Sequence, residues 1–156
     1  MSLVSIIMPY YKKEFFIRKS IQSILNQTYK NFEIIIVDDC STDGTYEYLK
    51  NFIKKISAKG FKIKIIKTKK NSGTVAHPRN YGLKECSGDL VCFLDSDDYW
   101  ENTKLEKQIS QIKNKKVIYC TSAKYFDLKG KKSNFFLNYL RKRLQFYIIK
   151  KVSIPI

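Results

Sequence analysis

The chain has 156 residues, of which 44% are hydrophobic and 28% charged, and its formal net charge is +16. This composition is typical of one globular domain and excludes a disordered or fibrous protein. No apolar run approaches the roughly 18 residues that a membrane-spanning helix requires. The four cysteines form no Cys-x-x-Cys pair, which argues against a zinc site and favours a cytoplasmic protein with reduced thiols.

The positive charge is concentrated in the C-terminal third of the chain. Residues 1–101 carry 16 Lys and Arg against 12 Asp and Glu, whereas residues 102–156 carry 14 against 2. Such a field attracts anions: nucleotides, nucleic acid or an anionic membrane surface. A lysine-rich solvated surface explains the same charge equally well, so both interpretations remain open.

Short apolar runs alternate with segments of helical periodicity along the chain. Strands are expected at 4–8, 34–37, 63–66, 90–94 and 117–120 because these runs are short and rich in β-branched residues. Helices are expected around 17–25, 46–56, 78–85 and 102–113, with Ser41 or Thr42 capping the second. This alternation predicts an α/β fold with a mostly parallel sheet flanked by helices.

The C-terminal segment is predicted to combine a helix with a final strand. Aromatic and aliphatic residues at 135–147 recur at helical spacing opposite a basic face, and 148–154 have strand character. We therefore divide the chain into a principal region, 1–115, and a second region, 116–156, that carries the basic tail.

Polar residues follow four successive predicted strands, where open α/β sheets bind their ligands. The densest group is Asp95-Ser96-Asp97-Asp98, whose carboxylates are hard ligands suited to Mg²⁺ or Mn²⁺. A divalent ion held by one or two carboxylates takes its other ligands from phosphates and water. A helix cap is the alternative, but it needs only one of the three aspartates.

Two further groups are candidates for ligand contacts. Asp39 follows the second strand, where it can bind a base or ribose or form a capping turn, and residues alone do not separate these roles. Asn71 and Gly73 precede a helix N-terminus that favours anions. Arg79 can contact a diphosphate, the carboxylates of the Asp95 loop or only solvent. His77, the only histidine, is not expected to be a general base.

Several enzyme classes lack their sequence signatures in this chain. There is no Gly-x-Gly-x-x-Gly fingerprint, no Walker A sequence and no nucleophile elbow. A dinucleotide-binding enzyme, a P-loop nucleotidase and a serine hydrolase of the α/β type are therefore not supported.

The sequence blocks together resemble family 2 glycosyltransferases with the Rossmann-like GT-A fold. The blocks are, in the family's order and spacing, VSIIMPYY at 4–11, IVDDCSTD at 36–43, NSG at 71–73, RNYG at 79–82 and FLDSDDYW at 93–100. Lys12 departs from the family, which often has Asn there. The stretch from Gly73 to Arg79 is one residue longer than usual.

The resemblance implies a nucleotide-sugar donor, UDP-linked, and transfer with inversion to a glycan or lipid-linked acceptor in cell-surface polysaccharide synthesis. It implies that Asp39 contacts the base in a pocket lined by Pro9 and Tyr11. Asp95-Ser96-Asp97 would be the family's DxD motif, with Asp95 near the ribose and Asp97 on the Mg²⁺ or Mn²⁺ ion. Region 1–115 would then bind the donor, and 116–156 would begin the acceptor side.

In the family, the catalytic base lies in an acceptor-binding half, and this chain offers no candidate for that base. We therefore expect the chain to bind donor but to transfer sugar poorly, and to be cytoplasmic or peripheral on the inner face of the plasma membrane. The alternative is a basic module that binds nucleic acid or a membrane surface through its tail. Nucleic acid is the less expected partner, because the acidic strand ends would then have no role.

Overall fold

The computed structural model of the protein describes residues 1–112, 118–120 and 147–150. The strands in these residues are β1 (Val4–Tyr10), β2 (Phe32–Asp38), β3 (Lys62–Lys67), β4 (Leu90–Phe93), β5 (Ile118–Cys120) and β6 (Tyr147–Lys150). They form one sheet in the order β3-β2-β1-β4-β6-β5. The first four run parallel, and β6 lies antiparallel to β4 and β5. The predicted α/β fold with a mostly parallel sheet is confirmed.

Helices cover both faces of the sheet. They are α1 (Glu14–Leu25), α2 (Thr45–Ser57), α3 (Ala76–Lys84) and α4 (Lys104–Ser110). Residues of α1, α2 and α4 pack with one face of β1 and β2 in the larger hydrophobic core. On the other face, α3 approaches closely at Gly82, where an added Cβ would lie 2.5 Å from the Ile7 side chain. The result is a three-layer α/β/α arrangement.

Position in the sheet explains the sequence pattern of each strand. All seven residues of β1 are buried, because the strand lies between β2 and β4 and beneath helices on both faces. In contrast, β3 begins and ends with exposed lysines at Lys62 and Lys67. It lies at the edge of the sheet, where charged side chains discourage pairing with another chain.

Two details of the helices differ from the sequence prediction. Neither Ser41 nor Thr42 caps α2; the residue before the helix is Gly44, whose φ of 81° is left-handed. Glycine adopts that conformation without the Cβ clash that penalises other residues. The structure also begins α3 two residues earlier than expected and limits α4 to seven residues.

Most of the predicted basic tail lies outside the described residues. Within them, Tyr147 begins β6 rather than ending a helix, and β6 pairs with β4. The second region thus contributes strands to the same sheet as the first, and the division at residue 115 stays a prediction. None of the helices within residues 1–112 has both the length and the apolar character needed to cross a bilayer.

Candidate functional site

A pocket of about 500 Å³ opens where β1, β2 and β4 end. This volume lies within the range of small-molecule sites. Eight of the nine predicted site residues line it, namely Pro9, Tyr11, Asp39, Asn71, Gly73, Asp95, Ser96 and Asp97. The ninth, Arg79, lies on α3 and contacts Asp95. Parallel strands explain this convergence, because their carboxyl ends meet at one edge of the sheet.

The aspartates after β4 form a turn, which we call the DxD loop (residues 95–98). The turn is closed by a hydrogen bond of 3.0 Å from the Asp98 amide to the Asp95 carbonyl. The helix that follows begins at Lys104, and Thr103 is the residue before it. The aspartates are therefore too far from α4 to cap it, and the capping alternative is wrong.

The backbone of the DxD loop is held from behind by α1. Ser20 donates a buried hydrogen bond of 2.8 Å to the Ser96 carbonyl, and the Ser23 hydroxyl accepts one from the Trp100 amide. The buried side chain of Gln27 donates to the Glu101 carbonyl at 2.8 Å and accepts from the Leu105 amide at 3.0 Å. These bonds fix the loop and the segment that follows it.

Each of the two DxD carboxylates pairs with a cation. Arg79 Nη2 lies 2.6 Å from Asp95 Oδ1, and its guanidinium lies over the Phe93 ring at 5.4 Å. Lys13 Nζ lies 2.9 Å from Asp97 Oδ2. Of the roles open to Arg79 in the sequence, the contact with the Asp95 loop is therefore observed, and a purely solvated side chain is excluded.

The third aspartate of the loop behaves differently. Burial raises the pKa of Asp98 from its ordinary 3.8 to about 6, with Asp95 and Asp97 adding like-charge repulsion. A proton on Asp98 therefore relieves part of the negative charge that the loop concentrates.

Asp39 lies on the opposite side of the pocket in a dense hydrogen-bond network. Its carboxylate accepts hydrogen bonds from the Thr68 hydroxyl at 3.2 Å and from the side-chain amide of Asn71 at 3.2 Å. It also accepts bonds from the backbone amide and the hydroxyl of Ser72, at 2.9 and 2.8 Å. Asp39 is only 4% exposed. Three of these four donors come from Asn71 and Ser72 and meet at Oδ2, so Asp39 fixes the 71–73 loop, and Oδ1 accepts the bond from Thr68.

The first loop has a left-handed residue at the position where the sequence departs from the family pattern. Lys12 has a φ of 50°, and its amide donates to the Ser41 hydroxyl at 3.0 Å. Asn adopts positive φ more readily than other non-glycine residues, which gives a physical reason for the family's Asn at this position. Lys12 thus adopts the left-handed conformation without an asparagine side chain, and the Ser41 hydroxyl binds its amide.

Sequence reasoning missed part of the pocket wall. Lys13, Thr74, Val75 and Pro78 also line it. Lys13 carried no local signal, because its partner Asp97 is 84 residues away in the chain. The sequence prediction began α3 at residue 78, so it left Val75 in the preceding loop and did not indicate that Val75 and Pro78 line the pocket. The observed start at Ala76 brings both residues close to Gly73 in the chain.

The described residues contain no cluster of three or more His, Cys, Asp or Glu side chains able to hold a metal ion by themselves. Asp97 nevertheless fits a metal that takes its other ligands from phosphate and water. Its side chain is 45% exposed, it lines the pocket and it already accepts one cation, Lys13.

Comparison with known proteins identifies the family. The model of "Glycosyl transferase family 2" matches residues 5–155. An uncharacterized glycosyltransferase of Haemophilus influenzae is 42% identical over 131 residues, which are 83% of this chain and 50% of that protein. The Escherichia coli UDP-Glc:alpha-D-GlcNAc-diphosphoundecaprenol beta-1,3-glucosyltransferase WfaP is 43% identical over 81% of this chain and 48% of its own. The chain thus spans about half the length of these curated relatives.

Solved structures agree with this assignment. S. aureus TarS 1–349 in complex with UDP-GlcNAc is 34% identical, with a TM-score of 0.62 over 70% of this chain and 30% of that one. The mannosyltransferase PcManGT of Pyrobaculum calidifontis, solved with GDP-Man and Mn²⁺, has a TM-score of 0.74 over 96% of this chain and 44% of its own. Its 20% identity supports the fold alone, which is GT-A. The chain belongs to glycosyltransferase family 2.

Proposed function

We propose that this chain binds the UDP-sugar donor of a metal-dependent, inverting glycosyltransferase that acts in cell-surface polysaccharide synthesis. The observation that carries the proposal is the pocket at the strand ends, where Asp39 and the DxD loop face one cavity of about 500 Å³. A cavity of that size with convergent polar groups is typical of a small-molecule site. The TarS complex with UDP-GlcNAc supports a UDP-linked donor.

The two sides of the pocket suggest which end of the donor each would bind. We assign the base to the side formed by Pro9, Tyr11 and Asp39. Asp39 Oδ2 already accepts three hydrogen bonds, whereas Oδ1 accepts one from the Thr68 hydroxyl, which has the Lys70 carbonyl 3.0 Å away as an alternative acceptor. We therefore assign the hydrogen bond from the base to Oδ1.

We assign the diphosphate to the side formed by the DxD loop. Mg²⁺ or Mn²⁺ would be held by Asp97, with Asp95 oriented by Arg79 toward the ribose. When bound, such an ion stabilises the negative charge that develops on the leaving diphosphate. His77 is exposed on α3, and we assign no catalytic base within residues 1–112.

The acceptor is proposed from the relatives and not from the pocket. WfaP is named for a diphosphoundecaprenol acceptor and TarS for poly(ribitol phosphate), so a glycan or lipid-linked acceptor is the class we propose. A lipid-linked acceptor would bring the protein to an anionic membrane surface on the cytoplasmic side. Liposome flotation with and without anionic lipid tests that step separately.

The first test is calorimetric titration of UDP in Mn²⁺ and, separately, in EDTA. We expect metal-dependent binding that Asp97→Ala weakens on the order of 10- to 100-fold, because the ion loses its protein ligand. Asp89→Ala is the matched control, since Asp89 is an exposed aspartate directly before β4, at the opposite edge of the sheet. Absence of UDP binding by the folded wild-type protein in Mn²⁺ as well as in EDTA would contradict the proposal.

A further inference from the structure

The two ion pairs of the DxD loop differ in how firmly their cations are held. Arg79 projects from within α3, and its guanidinium is fixed by both Asp95 and the Phe93 ring. Lys13 directly precedes α1, and its side chain is 44% exposed. Apart from Asp97, its ammonium has a weak contact with the Phe16 ring, whose centroid lies 6.0 Å away. Of the two cations, Lys13 is the one with a long, exposed stem that can change partners.

Lys13 occupies one of the two carboxylate oxygens through which Asp97 would hold a metal. Its ammonium lies 2.9 Å from Asp97 Oδ2, on the wall of the same pocket. A divalent ion on Asp97 would face the positive charge of this ammonium at short distance, and the two would repel more strongly in a partly buried site than in water. The ammonium and the metal therefore compete for Asp97.

We propose that Lys13 is the counter-ion of Asp97 in the empty pocket and moves to the donor diphosphate when the metal takes its place. This inference rests on the proposed function and adds a residue that neither the sequence blocks nor the family resemblance assigns. Lys13 weakens metal binding to the empty protein and strengthens binding of the diphosphate. Metal and nucleotide then bind with positive coupling, because the diphosphate draws Lys13 away from Asp97 and the metal releases Lys13 to the diphosphate.

The test is Mn²⁺ binding followed by the electron paramagnetic resonance signal of the free ion, with and without UDP. The variants are Lys13→Met, which keeps the stem without the charge, and Lys13→Arg, which keeps the charge. Lys19→Met is the matched control, since Lys19 lies on α1 against the Tyr99 ring at 4.4 Å. Far-ultraviolet circular dichroism verifies that each variant is folded.

Without UDP, we expect Lys13→Met to bind Mn²⁺ about two- to fivefold more tightly than wild type, the range of an exposed ion pair. With Mn²⁺ present, we expect the same variant to bind UDP about two- to fivefold more weakly. Lys13→Arg and Lys19→Met are expected to match wild type in both measurements.

The outcomes separate this inference from the proposed function. If wild type and Lys13→Met both bind UDP with Mn²⁺ but have equal Mn²⁺ affinities without UDP, or no measurable ones, the counter-ion role is overturned alone. An unchanged UDP affinity of Lys13→Met overturns the move to the diphosphate. If wild type binds no UDP at all, the proposed function fails and this inference fails with it.

Discussion

The two sides of the pocket satisfy their carboxylates in opposite ways. Asp39 is buried and accepts its hydrogen bonds from neutral groups of the neighbouring loop, with no ammonium or guanidinium among these four donors. Asp95 and Asp97 are about 35% and 45% exposed, and each pairs with a cation from another element. The Asp39 side is thus held mainly by hydrogen bonds from its neighbouring loop, whereas the DxD side keeps its charges where a ligand can replace the partners.

This difference shows where the fold is stabilised and where it is left adjustable. A buried carboxylate is costly unless it is hydrogen-bonded or paired with a cation. Exposed ion pairs contribute little to stability and are easily exchanged. The DxD loop nevertheless has a fixed backbone, because α1 bonds its Ser96 carbonyl through Ser20 and the segment that follows it through Gln27. Its adjustability is confined to the side chains.

Replacing Asp39 should have the largest effect on stability. We expect Asp39→Asn to lower the free energy of unfolding by about 2–4 kcal/mol, because its amide group offers one acceptor oxygen and turns a donor toward other donors. Asp97→Asn should change it by less than about 0.5 kcal/mol. Urea unfolding, followed by the fluorescence of the single tryptophan Trp100, measures both.

The two variants together test the comparison directly. If Asp97→Asn destabilised the protein as much as Asp39→Asn, the DxD side would also be part of the structural framework. The distinction between a structural Asp39 side and an adjustable DxD side would then be wrong.

Removing the support behind the DxD loop should have the next largest effect. We expect Gln27→Leu to lower the free energy of unfolding by about 1–3 kcal/mol, because the buried Leu105 amide loses its side-chain acceptor and the Glu101 carbonyl keeps only the bond from the Lys104 amide among those described. Weaker UDP binding in Mn²⁺ should accompany this loss, since the loop would lose its fixed position.

Gln22→Leu provides the matched control for Gln27→Leu. Gln22 lies on the same helix and is exposed. Within the described residues, its side chain makes a hydrogen bond only to Asn26. We expect its replacement to leave both unfolding and UDP binding close to wild type. Equal effects at the two glutamines would mean that α1 does not support the loop through Gln27.

The sequence was informative about strands because burial on both faces leaves a continuous apolar run. The predicted runs at 4–8 and 34–37 lie within β1 and β2, and the polar residues after them meet as expected. The resemblance of the motif blocks then pointed to the same edge of the sheet. Local composition was enough here, because strand and site are adjacent in the chain.

The partners of the site residues could not be predicted in the same way. Asp39 bonds residues 29 to 33 positions later, and Lys13 meets Asp97 across 84 positions. Such pairs depend on sheet order and on the approach of α1 and α3, which no short pattern encodes. The predicted cap of α2 was wrong for a related reason, since the Ser41 hydroxyl accepts a hydrogen bond from the Lys12 amide and none from the helix.

The smallest expected effect concerns Asp98 and shows how the DxD side carries its charge without a metal. Its pKa of about 6 lies above its ordinary 3.8, so the folded protein binds more protons than the unfolded chain between these values. The contribution of Asp98 to stability is therefore full below about pH 4 and is lost as pH rises through 6. Because the group is only half-buried, screening reduces this contribution to on the order of 1 kcal/mol.

Urea unfolding of wild type and Asp98→Asn in EDTA between pH 4 and 7 should show the variant gaining stability relative to wild type as pH rises. A constant difference across that range would mean that Asp98 is ionised throughout, with the loop charge balanced by Lys13 and Arg79 alone.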